Sequence, residues 1–380
     1  MSQDNSGDDA GQDRYGKTVA DVPDGSAVRQ KEEKGKRRRL SSGFFRFIIV
    51  RFLLIIPTIF ILVTLVFFVM RATGDPISAA LGGRLPPAEL RKRIHAAGYD
   101  RPLIVQYFDY LGGLLHGDLG RTLTDNQPVT SILTHYGAAT FELAFLALIV
   151  ALLVGIPLGK LAARHRDRVG DAAIRVFAIL CYATPVFFLG LLFKLIFSVK
   201  FDILPSSGRC SLASEMQFDR LVSPTGFYII DALQLGDAGV LADVLEHAIL
   251  PALALGLLTA GVFIRLVRTN VISTFNSPYV EAARSRGVSE SRLLSKHAWK
   301  PALIPIITVM GMQIAMMLAG AVLTETTFEW KGLGFMLSTY LKSRDFVAVQ
   351  GIVILIAIIV SVVNFIVDVI SALIDPRVRY

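Results

Sequence analysis

Long stretches of this chain run almost free of charge, and each is long enough to cross a hydrocarbon core of about 30 Å as a helix. That feature leaves few folds open. Only 18% of the 380 residues are charged, 53% are hydrophobic, and the mean hydropathy is +0.55. Soluble domains carry about 25% charged residues. The expectation is an all-α integral membrane protein. A net charge of +8 could point to nucleic acid, but the basic residues cluster beside the apolar segments, as the positive-inside rule requires. Cys181 lies in an apolar run and Cys210 in a polar loop, so no disulfide framework or Cys/His metal spacing is expected.

Six spans are expected, over residues 47–70, 132–161, 172–199, 244–267, 301–323 and 347–370. Arg37, Arg38, Arg39, Arg46 and Arg51 surround the start of the first. Lys160, Arg164, Arg166, Arg168 and Arg175 lie between the second and third. Arg265, Arg268, Arg284, Arg286, Arg292, Lys296 and Lys300 lie between the fourth and fifth, and Arg377 and Arg379 follow the last. With six spans these regions share one side, which places both termini in the cytoplasm. Residues 1–43 read as a polar, acidic and then basic cytoplasmic tail, mostly disordered. The apolar run from Phe44 is too long for a signal peptide and lacks a cleavage site, so it reads as a retained first span. The domain reading is therefore a tail over 1–43, a first span with a long external segment over 44–131, and a transmembrane core over 132–380 with an external insert at 200–243 and a cytoplasmic loop at 270–300.

In the first external segment, Pro87 to Ala97 reads as a short polar helix. Ile104, Phe108, Leu111 and Leu115 are spaced for an amphipathic helix at the membrane surface. Polar residues at membrane depth are Glu142, Lys194, Gln313, Glu325 and Asn364. Because polar groups in hydrocarbon are costly, they face the bundle or a wet path; a structural hydrogen bond and a place on a permeation path both stay open. Gln313, Glu325 and Asn364 are the path candidates. Gly155, Pro157, Pro185, Gly190, Pro251 and Gly256 interrupt spans, which kinks helices or permits close approach.

The most informative segment is residues 270–300, charged and lying between two apolar runs. Ser273 and Thr274 are candidate caps, and Pro278 fits a first helical turn. Tyr279 to Arg286 reads as one short helix ended by Gly287. Ser289 is placed to start a second, with Leu293, Leu294 and Ala298 on one side. Both ends are tethered to the bilayer, so DNA recognition by this helix-turn-helix is excluded. An interfacial anchor and a docking surface both remain.

Glu281, Ala282, Ala283 and Gly287 resemble the EAA loop of the permease subunits of bacterial and archaeal ABC importers. HGDLG at 116–120, TPVFFLG at 184–190, LTETTFEWKGLG at 323–334, SPTGFYIIDALQLGD at 223–237 and the ending NFIVDVISALIDPRVRY at 364–380 extend the resemblance. Together they are similar to the dipeptide/oligopeptide/nickel permeases, most of all the dipeptide-type members, over about residues 44–380. The chain has His297, Pro301 and Pro305 where sugar-type members place an aliphatic residue and a proline, which agrees with the peptide type.

The resemblance implies a type I ABC importer permease fold in a bacterial or archaeal cell membrane. It implies a second homologous permease, two ATPase subunits and an extracytoplasmic peptide-binding protein as partners. Glu281, Ala282, Ala283, Arg284, Arg286 and Gly287 would couple ATPase closure to alternating access for di- or oligopeptides. The chain has no G-x-x-x-x-G-K-[ST] loop, no cofactor motif and no nucleophile–base set, so hydrolysis is expected from partner subunits. Nickel or a nickel chelate is the alternative cargo within the family. An ion-coupled secondary transporter and a scaffold are the readings outside it.

Overall fold

Every long apolar run becomes a helix, the conformation that satisfies backbone polar groups within a single segment. A computed structural model describes residues 25–83 and 85–374. In chain order the helices are α1 (Gly25–Ala72), α2 (Pro76–Leu81), α3 (Pro87–Ala96), α4 (Leu103–Leu115) and α5 (Val129–Arg164). Then come α6 (Val169–Ala183), α7 (Val186–Phe193, continued by a π-helical stretch Lys194–Lys200), α8 (Leu212–Phe218), α9 (Tyr228–Leu235) and α10 (Ala238–Phe275). The rest are α11 (Pro278–Ser285), α12 (Glu290–Arg292), a π-helical stretch Leu293–Ala298, α13 (Trp299–Phe328), α14 (Leu333–Lys342) and α15 (Phe346–Ile374). Of the expected tail over 1–43, residues 1–24 lie outside the described residues, and α1 begins within its second half.

Among the described residues five helical stretches are long and apolar enough to cross a membrane: Phe44–Ala72, Val129–Arg164, Ala238–Phe275, Glu290–Leu318 and Phe346–Leu373. The third expected span, over 172–199, differs. It is two helices, α6 and α7 with its continuation to Lys200, set at 103° to each other. Pro185 lacks an amide hydrogen and forces the residue before it out of helical geometry. Thr184 is accordingly extended (φ −80°, ψ 127°), and its hydroxyl donates to the Leu180 carbonyl at 2.6 Å.

The centre of the bundle is the pairing of α5 with α10. At 36 and 38 residues these helices are about 54 and 57 Å long, so each projects well past a hydrocarbon core. Small residues let their backbones approach. A Cβ on Gly155 would lie 2.6 Å from Phe263 Cβ, one on Gly159 2.6 Å from Val267 Cβ, and one on Gly256 2.6 Å from the Ala147 carbonyl oxygen. The core beside this seam gathers Ala139, Leu143, Ala147, Ala248, Leu255, Met317, Ala321 and Trp330. Helix α1 packs on α15, with Arg51 paired to Asp368 at 3.1 Å and Phe52 edge-on to Phe365.

The amphipathic α4 docks on α1 through Gln106 and Tyr107, which leaves the stripe spaced for the membrane surface on its outer side. Ile104, Phe108 and Leu115 are exposed. The buried face carries Gln106 and Tyr107. Arg71 donates to Gln106 at 3.0 Å, and the Thr64 and Tyr107 hydroxyls are 2.7 Å apart. The apolar stripe thus stays exposed, and polar side chains fix α4 to the bundle.

Candidate functional site

The loop between α10 and α13 is built from local rules. Residues Ser273 and Thr274, expected as caps, lie inside α10. The helix continues because Val271 is buried and Phe275 packs on the loop's own core. The cap position falls to Ser277, whose extended backbone (φ −80°, ψ 151°) precedes Pro278 at the first helical position. Helix α11 buries Val280 and Ala283 against Leu293, with Phe275 and Val288 closing that small cluster. Its other face leaves Glu281, Ala282, Ser285 and Arg286 exposed.

Gly287 has φ +79°, a left-handed value that costs any side-chain-bearing residue. Its amide donates to the Arg284 carbonyl at 2.9 Å, and the Val288 amide to the Ala283 carbonyl at 3.3 Å. This is a Schellman turn, complete with the hydrophobic contact between Val288 and Ala283. Arg284 braces it from outside. The guanidinium donates to Glu290 at 2.8 Å, lies 3.6 Å from Glu281, and sits 4.9 Å from the Phe275 ring centre. The hydrogen bond to Glu290 raises the Arg284 pKa above its ordinary value.

The second half of the loop is not a separate helix. Ser289 is extended and starts α12, as its position suggests, but α12 runs through the π-helical stretch straight into α13. Leu293 and Ala298 are fully buried and anchor that stretch. The exposed face of α11 is therefore linked on one side to α10 by two residues, Asn276 and Ser277, and on the other to the shaft of α13.

The polar residues at depth have different fates. Glu325 is fully buried. It accepts from the Thr140 hydroxyl at 2.7 Å and the Phe335 amide at 2.9 Å. Thr140 in turn accepts from the Leu333 amide, and the Trp330 indole donates to the Ala139 carbonyl, both at 2.9 Å. Glu142 accepts from Arg209 at 2.5 Å and from the Ile229 amide at 2.8 Å. Lys194 donates to the Thr327 carbonyl at 2.9 Å. Gln313 is half-buried and Asn364 exposed on the faces of α13 and α15. The structure thus encloses Glu325 and leaves Gln313 and Asn364 on the bundle surface.

The conspicuous motifs turn out to be knots. In 323–334, Glu325 and Trp330 tie α13 and α14 to α5. In 223–237, Asp231 accepts from the amide and hydroxyl of Thr225 and from the Gly226 amide. In 116–120, Asp118 accepts from the Gly120 amide. One residue goes unremarked in the sequence. Arg209 reaches across 67 positions to Glu142, donates to the Gly226 carbonyl, and lies 3.6 Å from the Tyr228 ring centre. A lone buried acid in the second span is the signal that asks for such a partner.

Residues 155–380 match the family model for the binding-protein-dependent transport system inner membrane component, and residues 44–140 match that family's N-terminal membrane component. The chain belongs to this family of transport permeases, whose members are membrane components and not catalytic enzymes. It is 37% identical over 338 residues to the dipeptide transport system permease protein DppB of Escherichia coli (strain K12), covering 88% of this chain and 99% of that one. A di/tripeptide transport system permease of Pseudomonas aeruginosa is 37% identical over 336 residues, covering 88% and 98%. A probable D,D-dipeptide permease of Escherichia coli is 39% identical over 305 residues, covering 80% and 88%.

Proposed function

We propose that this chain is one permease subunit of an ATP-driven ABC importer for di- or oligopeptides, with the type I importer fold. Its partners in this reading are a second homologous permease, two ATPase subunits and an extracytoplasmic peptide-binding protein. The observation that carries the mechanism is the exposed α11 face held by the Gly287 turn and joined to two long helices. The bent pair α6–α7 counts as one span, giving six. Basic residues flank the ends of α5, α6 and α10 on the loop side, so that side and both termini are cytoplasmic. The relatives' named cargoes are dipeptides and tripeptides, which favours peptide over nickel.

Glu281, Ala282, Ala283, Arg284, Arg286 and Gly287 form the coupling element, in two roles. Glu281, Ala282 and Arg286 meet the ATPase subunit, while Ala283, Arg284 and Gly287 hold the turn. Closure of the ATPases moves this element, and α10 and α13 carry the displacement into the membrane. The path runs along the exposed side of α13. Met312, Met316 and Leu323 are exposed there, with Gln313 beside them. Flexible, polarizable methionines suit peptides of varied side chain. A polar amide facing lipid would be costly, so Gln313, and Asn364 on α15, face the second permease or the path. Glu325 braces the bundle without touching cargo.

The test is Gly287→Val in the purified transporter of two permeases and two ATPase subunits, reconstituted in vesicles with its peptide-binding protein. Substrate-stimulated ATP hydrolysis and uptake of labelled dipeptide should fall together, with membrane insertion and subunit assembly retained. Normal hydrolysis and uptake by that variant would refute the coupling assignment. Nickel uptake in place of dipeptide uptake by the wild-type complex would overturn the cargo.

A further inference from the structure

Behind the coupling element lie two adjoining cavities, of about 290 and 440 Å³. They share Arg164, Val271, Ser291 and Leu294 in their walls. The smaller adds Lys160, Ser295 and Trp299; the larger adds Arg166, Arg168 and Asn276. Four cations thus surround one recess. Three of them, Lys160, Arg164 and Arg168, make no ion pair among the described residues, and Arg166 pairs with its neighbour Asp167. The one carboxylate in the wall, Glu290, is already held by Arg284. The floor is apolar: Val271 is buried, and Leu294, Ile272 and Phe275 line the rest. Lys160 lies 3.4 Å from the Trp299 ring centre, a pair that suits the membrane–water boundary.

Part of the wall is the π-helical stretch Leu293–Ala298. Such stretches are energetically poor and concentrate at functional sites. This one turns Leu294 and Ser295 toward the recess.

We infer that this recess binds the phosphate headgroup of an anionic phospholipid of the cytoplasmic leaflet. Unpaired cations and hydroxyls supply the headgroup site, and the apolar floor continues the surface of the spans toward the acyl chains. The same wall includes Ser291, Leu294 and Ser295, which lie on the helix that leaves the coupling element. Occupancy therefore stabilises one position of that element and tunes how well ATPase closure is transmitted. The inference rests on the cytoplasmic placement of the loop given above.

Full transporter would be reconstituted in nanodiscs of equal parts phosphatidylglycerol and phosphatidylcholine. Lipid retained after detergent extraction would be quantified by mass spectrometry. Wild-type complex should retain phosphatidylglycerol over phosphatidylcholine. Each of Lys160→Gln and Arg164→Gln should lower that retention about fivefold, and Ser295→Asp should lower it too. Arg164→Lys should restore most of it, and a twofold larger charge change on the other side, Arg91→Gln with Lys92→Gln, should leave it unchanged. Retention unaffected by the recess variants, or lowered as much by the distant pair, overturns the inference. Displacement of the lipid by inorganic phosphate alone would assign the recess to a soluble anion and overturn the lipid. Impermeant maleimide labelling of Val169→Cys, exposed at the start of α6 on the loop side, in oriented vesicles reports separately on which side the loop faces, so a wrong orientation is distinguished from an empty recess.

Discussion

Charges buried among the spans and charges on the α10–α13 loop are used in opposite ways. Glu142, Glu325 and Asp345 are enclosed, and each accepts hydrogen bonds from elements distant in sequence. Asp345 alone takes the Leu123 amide at 2.6 Å and the amide and hydroxyl of Thr124. On the loop, Glu281 and Arg286 stay exposed: Arg284 pairs with Glu290 and Glu281, and Arg286 donates to the Ala282 carbonyl of its own helix at 3.1 Å. Buried charge must be satisfied within the chain and so becomes architecture. Exposed charge beside a fixed turn stays free to meet another molecule.

That contrast can be broken by substitution. The largest effect belongs to Glu142→Ala, which strands Arg209 and should cost about 3–5 kcal/mol, read as a lowered unfolding temperature of the detergent-purified complex. Unchanged stability would remove Glu142 from the architecture. Glu325→Gln keeps one acceptor and places an amide against the Phe335 N–H, for about 1–3 kcal/mol. Uptake should then fall with protein abundance while the KM for dipeptide holds; a shifted KM would move Glu325 onto the path.

Gly287→Val should cost about 1–2 kcal/mol of backbone strain yet abolish most stimulated hydrolysis. Gly287→Asn, which tolerates the left-handed conformation, should restore much of it. Equal behaviour of the two variants would sever the turn from coupling. The smallest effect concerns thiols. Burial, and then Asp243 and Glu215, push the Cys210 thiol up to about 12, whereas an exposed cysteine titrates near 8.5. At pH 8 a maleimide should label Val169→Cys at the exposed start of α6 rapidly and Cys210 only after unfolding. Fast labelling of native Cys210 would show the insert to be open.

The five long helices were readable because charge-free runs have few alternatives in a bilayer; the ends of the first, second and last fall within three residues of the expected ones, while the two helices that flank the loop run on past theirs into it. The turn at Gly287 was readable because its rule is local. The 103° break was less so. Pro185 marks it, but an apolar run looks the same whether it crosses straight or folds back, and only packing on α10 and α13 decides. The Arg209–Glu142 pair was hidden because its partners are 67 residues apart and nothing local to either names the other. The caps at Ser273 and Thr274 failed for a related reason: burial of Val271 outweighed two residues that favour helix starts.

The uninterrupted passage from α12 through the π-helical stretch into α13 has a mechanical consequence. A hinge would let a bound motor swing the loop while the membrane segment stayed still. If an ATPase subunit grips α11, its stroke enters the membrane through one continuous helix, and the π-helical stretch and Pro305 are the two places where that helix can bend before Met312 and Met316.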